Sequence, residues 1–448
     1  MATTERSPAR PPALHYLQLF GMRRDPLAAF TSLAQQHGHV VLFRGLYKAY
    51  QLTHPRDIEH VLQTNAHNYV KGRNYKKFVA STGNGLLVSD GDLWRRQRRL
   101  AQPAFHRQRL AAFAAVMARE AEVQGSRWQE FARRSRPVDV SDEMMRLTLR
   151  IIGLTMFTTD LTAETDTIGR SLRVIREHSI RRMWQPFSIP VSVPTPSNLR
   201  FRRALADGDR VLNEVIDARR SGEIVNDDLL SLLLRARDEE TGAGMSDEQL
   251  RAEVVTIIGA GHESTAVALS WTWYLLSQHR EAEERLHEEL ERELSGRTPT
   301  FEDLPRLAYT TMVIEEAMRL YPPAWALSRT AKGPDTLGGY PVAAGSEALL
   351  IPYVTHRHPD FWDDPEKFLP ERFAPEAKES RPRFSYVPFG AGPRQCIGQH
   401  FGMTEMLIIV ATLAQRFRLR LAPGARVVPE PSITLRPREG VPMTLHER

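Results

Sequence analysis

The 448 residues are 42% hydrophobic and 25% charged, the balance of a soluble globular chain long enough to bury a large core. A net charge of +6 is spread along the chain without a basic stripe interleaved with aromatics, which excludes a nucleic-acid binder. The one cysteine, Cys396, excludes a disulfide scaffold and fits a reducing, cytoplasmic compartment; the longest apolar run, about Met406 to Ala414, is far short of the ~18 residues a membrane span needs.

The Pro- and Arg-rich start, Met1 to Leu14, has no apolar core for a signal peptide. Val40–Phe43 and Ala49–Thr53 alternate as strands, and Pro55–Gln63 follows as a helix. Residues 72–91, with Gly83, Gly85 and Gly91, read as one long loop of the kind that carries binding residues. Helical patterns then run from about 93 to 320. Their main break is 185–198, where prolines at 186, 190, 194 and 196 predict a connector. Strand-rich stretches are expected at about 38–55, 335–352 and 416–446, with a further helix at about 397–416. There are no internal repeats, and the whole of 1–448 reads as a single, mainly α domain with small β-sheets.

Within the helical part, Ser246-Asp247-Glu248-Gln249 is a capping box, and the apolar helical pattern after it reaches about Gln278. Its middle reads Gly259-Ala260-Gly261-His262-Glu263-Ser264-Thr265. Each interior glycine costs roughly 1 kcal/mol against alanine, and an acid inside an apolar helix costs more unless it is partnered. Stability alone does not choose that stretch. It is either a crossing point for another helix or a groove in which Ser264 bonds back to the Ala260 carbonyl and Glu263 relays protons.

A lone intracellular cysteine is usually a buried small hydrophobe. Cys396, however, stands in Phe389-Gly390-Ala391-Gly392-Pro393-Arg394-Gln395-Cys396-Ile397-Gly398, directly before an apolar helical stretch. A helix N-terminus favours a thiolate, and the glycines let a flat ligand approach. One thiolate is too few for the common zinc sites, whereas haem iron needs only one.

This segment resembles, residue by residue, the haem-binding loop of the cytochrome P-450 family. The resemblance extends to Gly259–Thr265, to Glu316 with Arg319, to Pro370-Glu371-Arg372-Phe373 and to Trp94 with Arg98, and it covers the chain from about Tyr16 onward. It implies a P-450 fold with haem b between the long central helix and the cysteine-loop helix. Cys396 would be the iron ligand, with Phe389, Gly392 and Gly398 shaping the loop and Arg394, Trp94, Arg98 and Arg329 serving the propionates. Glu263 and Ser264, or Thr265, would deliver protons to O2. The usual threonine is Ser264 here, whose hydroxyl lacks the methyl that fixes its rotamer. Glu316, Arg319 and Arg372 would form a structural clamp.

By the same resemblance the substrate pocket would be lined by Phe78, Val79, Leu86, Leu87, Trp184, Phe187, Ile257, Ala260, Gly261, Trp325, Leu327, Ile433 and Thr434. That set is apolar, matching a fatty acid, terpenoid, macrolide or steroid. The expected activity is a cytoplasmic, monomeric monooxygenase of secondary metabolism, without membrane anchor or fused reductase. Its electrons would come from a ferredoxin or flavodoxin with an NAD(P)H-dependent reductase, docking on Arg95, Arg96 and Arg99. The alternative is a peroxide-driven peroxygenase or a non-oxygenating haem-thiolate protein. His356 and His358, in a His-Arg-His-Pro turn, read as structural.

Overall fold

The computed structural model describes residues 13–15, 24–45, 47–134, 136–161, 165–183, 185, 189–221, 228–238 and 242–448. It is mostly helical with small sheets, and it divides into two compact units. The first comprises Met1–Lys76, Ala324–Lys367 and Ser380–Cys396; the second comprises Lys77–Pro323, Phe368–Glu379 and Ile397–Arg448.

The first unit is built on a six-stranded mixed sheet in the spatial order Ala13–His15, Val40–Arg44, Lys48–Leu52, Glu347–Leu350, Leu327–Ala331, Tyr69–Lys71. Val40 pairs with Leu52 and Phe43 with Ala49, so the two early strands form a hairpin. Both faces of the early hairpin are covered, so Val40–Phe43 and Ala49–Leu52 are buried throughout and the alternation expected of them does not appear in their burial. Leu42, Tyr50, Leu52 and Leu350 pack with Ile58, Val61, Leu62, Phe384 and Val387. On the other side Val41, Phe43 and Ala49 meet Phe30 and Leu33 of the helix Pro26–His37. The helix expected over 55–63 is α-helical only to Glu59 and ends in a wide π turn, His60–Thr64.

The second unit holds the long helices. The central one, Asp247–Gln278, opens on the expected capping box, in which Ser246 Oγ accepts from Gln249 N and Gln249 Oε1 accepts from Ser246 N, both at 3.2 Å. It packs against Val140–Met156, Ala308–Leu320 and Gln399–Ala414, and most of its length is buried. A hairpin of Pro429–Pro431 with Leu435–Pro437 is fastened to it by Trp271, whose indole N–H donates to Leu435 O at 2.7 Å.

Local chemistry corrects two expectations. Residues 72–91 are not all loop, because Arg73–Phe78 form a 3₁₀ turn and Val79–Thr82 a short helix that stops at Gly83, whose φ of 66° is left-handed. The proline-rich connector ends sooner than expected. Pro196 is the first residue of the helix Pro196–Arg220, capped by Thr195 Oγ1 accepting from Asn198 N at 3.2 Å, so this proline starts a helix instead of breaking one.

Candidate functional site

The cysteine loop belongs to the first unit and is shaped by two left-handed glycines, Gly390 at φ 65° and Gly392 at φ 67°. Gly392 is also required sterically, since a Cβ there would stand 1.9 Å from the Leu62 carbonyl oxygen in the π turn. The loop closes with Cys396 N donating to Phe389 O at 2.9 Å, and the thiol is exposed. Phe389, Gly392 and Arg394 are half-buried. The next helix begins at Gln399, beyond Gly398, so the cysteine precedes the first helical turn and does not open it.

Arg329, in the strand Leu327–Ala331, is buried at 5% exposure. Its guanidinium donates to the Ser328 carbonyl at 2.9 Å, and among the described residues it has no carboxylate partner. A buried cation of this kind calls for an anion.

In the second unit, Trp94 and Arg98 share the helix Gly91–Ala101 and are half-buried. With Arg95, Arg99, Gln102, Pro103 and His106 they line an open recess of about 380 Å³. The neighbouring arginines are less available than the sequence suggests. Arg95 pairs with Asp92, Arg99 bonds Asp238 at 2.7 Å, and Arg96 donates to the carbonyls of Ala243 and Gly244 at 3.0 and 2.6 Å.

In the central helix the crossing point and the Ser264 back-bond expected of the glycine stretch both occur, at different residues. Gly261 is a crossing point, where a Cβ would come within 2.8 Å of Ile152 Cδ1; at Gly259 a Cβ would meet nothing within 4 Å. Ala260 is exposed although the helix around it is largely buried. Ser264 Oγ donates to Ala260 O at 2.6 Å, and Thr265 Oγ1 donates to Gly261 O at 3.1 Å. The two hydroxyls differ in surroundings. Ser264 is half-buried, whereas Thr265 is 5% exposed and turned toward Gly402 of the helix Gln399–Ala414.

Glu263 accepts from Thr434 Oγ1 at 2.7 Å. Thr434 sits at the tip of the hairpin that Trp271 fastens, beside the exposed Ile433, and Leu435 N donates to Pro323 O at 3.0 Å. Trp271 in turn stacks on Tyr321 at 3.8 Å between ring centroids.

Glu316 and Arg319 are fully buried and joined by two hydrogen bonds of 2.6 and 2.8 Å. Glu316 also accepts from Leu369 N at 2.9 Å, with Arg372 Nε at 3.5 Å. The fold therefore gathers these three motif residues around one carboxylate.

Of the remaining pocket candidates, Phe78, Leu86 and Leu87 are half-buried, Val79 is 40% exposed and Ile257 is buried. Leu327 is half-buried, and Trp325 is buried in the first unit with its ring 6.5 Å from Phe30. Trp184 and Phe187 lie outside the described residues.

Three acid or base groups escaped the sequence reading. Arg176, in the helix Thr165–Met183, is held below the usual guanidinium range by burial and Arg436, and Glu263 opposes the shift. Burial pushes the Glu253 carboxyl up to about 7, and this residue accepts from Leu86 N at 3.1 Å. The buried Glu405, one turn beyond Gly402, is driven well above the carboxylate range by burial, against the pull of the Thr265 hydroxyl. A one-residue signal existed only for Glu253 and Glu405, as acids within apolar helical runs.

Comparison with known proteins places these residues in context. The family model "Cytochrome P450" matches residues 6–441. Cyclooctatin synthase of Streptomyces melanosporofaciens is 41% identical over 418 residues, covering 92% of this chain and 90% of the relative. Cyclooctat-9-en-7-ol 5-monooxygenase of the same organism is 39% identical over 425 residues, covering 94% and 91%. Pentalenene oxygenase of Streptomyces avermitilis is 34% identical over 411 residues, covering 91% and 90%.

Proposed function

The chain belongs to the cytochrome P450 family and is a haem-dependent oxidoreductase that incorporates one oxygen atom of O2, and on that premise we propose that its substrate is a cyclic terpenoid. The observation that supports this substrate class is the similarity, across nine-tenths of the chain, to relatives named for cyclooctat-9-en-7-ol and pentalenene. An apolar set of candidate lining residues, with Ala260 exposed on the central helix, agrees with it.

The residues present fit a haem. An exposed thiol in a loop framed by left-handed glycines suits an iron ligand, and the buried Arg329, with no carboxylate partner among the described residues, suits a propionate. We assign Cys396 as the thiolate ligand, with Phe389, Gly392 and Gly398 shaping its loop and Trp94, Arg98, Arg329 and Arg394 holding the propionates. We assign the group as haem b; the chain has no Cys-x-x-Cys-His motif of c-type attachment. When bound it supplies the oxidising power, and the thiolate favours O–O cleavage.

The protein's own part is proton delivery, orientation and exclusion of water. Glu263 carries protons and Thr434 holds its carboxyl oxygen. The Ser264 hydroxyl, resting on the Ala260 carbonyl, passes protons on at the exposed stretch of the helix. Glu316, Arg319 and Arg372 act only through structure. Monooxygenases of this family draw electrons from a redox partner; here we assign a ferredoxin or flavodoxin with its NAD(P)H-dependent reductase, serving one catalytic domain that works as a monomer.

The test is a screen of substrate-induced spectral shifts over cyclic terpenes, fatty acids, macrolides and steroids, followed by turnover of the best binder with NAD(P)H and surrogate partners. Binding and hydroxylation confined to terpenes support the assignment; preference for another class overturns it. Cys396→His should abolish the red-shifted Soret band of the reduced CO complex. Retention of that band would move the ligand elsewhere.

A further inference from the structure

The first unit carries a second group of ligand-bearing side chains that uses none of the residues assigned to the haem, the proton path or the clamp, and it includes His358, which the sequence reads as structural. His39 immediately precedes the strand Val40–Arg44, Thr53 follows Lys48–Leu52, and His358 and Asp360 lie on the turn after the short helix Pro352–Thr355. In sequence His358 has no evident partners; folding brings them. One ring nitrogen of His39, one of His358 and one carboxylate oxygen of Asp360 lie within 4.8 Å of one another.

The spacing suits a metal better than a chance meeting of surface groups. Zinc bonds of ~2.0–2.2 Å to nitrogen and oxygen set neighbouring tetrahedral ligands about 3.3 Å apart. His39 Nε2 is 3.1 Å and His358 Nδ1 is 3.8 Å from the same oxygen, Asp360 Oδ2, so the two edges bracket that length.

The surroundings also prepare the ligands. His39 Nδ1 meets Thr53 Oγ1 at 3.0 Å, the outer hydrogen bond that typically orients a ligating imidazole. His358 Nδ1 accepts from Asp360 N at 3.3 Å, which places its ring proton on Nε2, and a cation at Nδ1 would take the place of this long hydrogen bond. Phe361 stacks on His39 at 5.6 Å and packs on His358 at 5.3 Å, an apolar wall behind both rings. The neighbouring His356 is different, being fully buried with Nε2 accepting from Val387 N at 2.9 Å, as a structural histidine should.

We propose that His39, His358 and Asp360 bind one divalent transition-metal cation of the zinc class. A cation there ties the edge of a sheet strand to the turn at 358–360, and because it binds the folded arrangement, it stabilises this unit by mass action. Asp360 is 58% exposed, so the site is open to exchange with solvent metal.

The experiment uses the haem-loaded protein, stripped with a chelator, desalted and dialysed against zinc, with metal counted per chain by atomic emission. Wild type should retain one equivalent of zinc and unfold at a higher temperature when zinc is present. His39→Ala and Asp360→Asn should each weaken zinc binding at least tenfold and abolish the thermal shift, while His446→Ala, at an exposed histidine, changes neither. The CO spectrum of each variant reports intact folding, and Asp360→Asn, at an exposed turn, retains the shape of the native side chain. Unchanged affinity in both site variants, or no zinc retained by wild type, overturns the proposal.

Discussion

Thr434 Oγ1 donates to Glu263 Oε1 at 2.7 Å, which ties a hairpin tip to the acid of the central helix. Trp271 anchors the same hairpin eight residues further along that helix, so the acid's position depends on a segment 171 residues away in sequence.

Thr434→Val keeps the shape of the side chain and removes this bond. A hydrogen bond to a charged group contributes about 1.5 kcal/mol or more, roughly tenfold in the population of the aligned carboxyl. Product formed per NAD(P)H should fall and hydrogen peroxide rise, with a normal CO spectrum. Thr434→Ser should restore coupling. If Thr434→Val couples as wild type does, the bond from Thr434 does not set the part Glu263 plays in coupling.

The clamp is a matter of stability. With Glu316 and Arg319 both fully buried, Glu316→Ala leaves a guanidinium without its counter-charge and Leu369 N without its acceptor. The cost is about 3–5 kcal/mol. Glu316→Ala should therefore yield little haem-loaded protein and a much lower unfolding midpoint in urea. A midpoint near that of wild type would show that Arg319 finds another partner.

Ser264 and Thr265 can be separated because their surroundings differ. Ser264 faces the exposed stretch at Ala260, whereas Thr265 is 5% exposed and turned toward Gly402. Ser264→Ala should release peroxide at the expense of product, and Thr265→Val should lower thermal stability while leaving coupling intact. The reverse pattern would move the working hydroxyl one residue along. Ser264→Thr, whose added methyl restricts χ1, should couple at least as well as wild type.

These contacts also show what a sequence can and cannot reveal. The Cys396 loop, the capping box at Ser246 and the back-bond from Ser264 to Ala260 are local, set by residues within ten positions of one another, and all were legible. Glu316 with Arg319 was legible as a spacing, but its burial was not, since an isolated i,i+3 pair looks like a surface pair. Thr434 with Glu263 and His39 with His358 join residues far apart in the chain. No periodicity encodes such meetings. The helix start at Pro196 was misplaced for another reason: proline breaks a helix interior but favours the first turn, and only the cap at Thr195 distinguishes the two.

Glu253 supplies a prediction in pH. Its carboxyl is buried in the central helix and accepts from Leu86 N, while Gly85 is pressed so close to the helix that a Cβ would stand 2.3 Å from Thr256 Oγ1. Burial pushes the carboxyl up to about 7 from an ordinary 4.5. The folded chain thus holds a proton that the unfolded chain has already released. Stability must then fall as pH rises from about 4.5 to about 7, by about 3 kcal/mol at most. Glu253→Gln keeps an oxygen for Leu86 N and removes the titration. Its stability should be flat across that window where wild type declines, leaving the variant more stable than wild type at pH 8. Hydrogen exchange at Leu86 should accelerate with pH beyond the intrinsic rate in wild type only. Urea midpoints at pH 5, 6 and 8 decide the matter: parallel profiles for the two proteins would mean that Glu253 is already ionised when folded and that water reaches it.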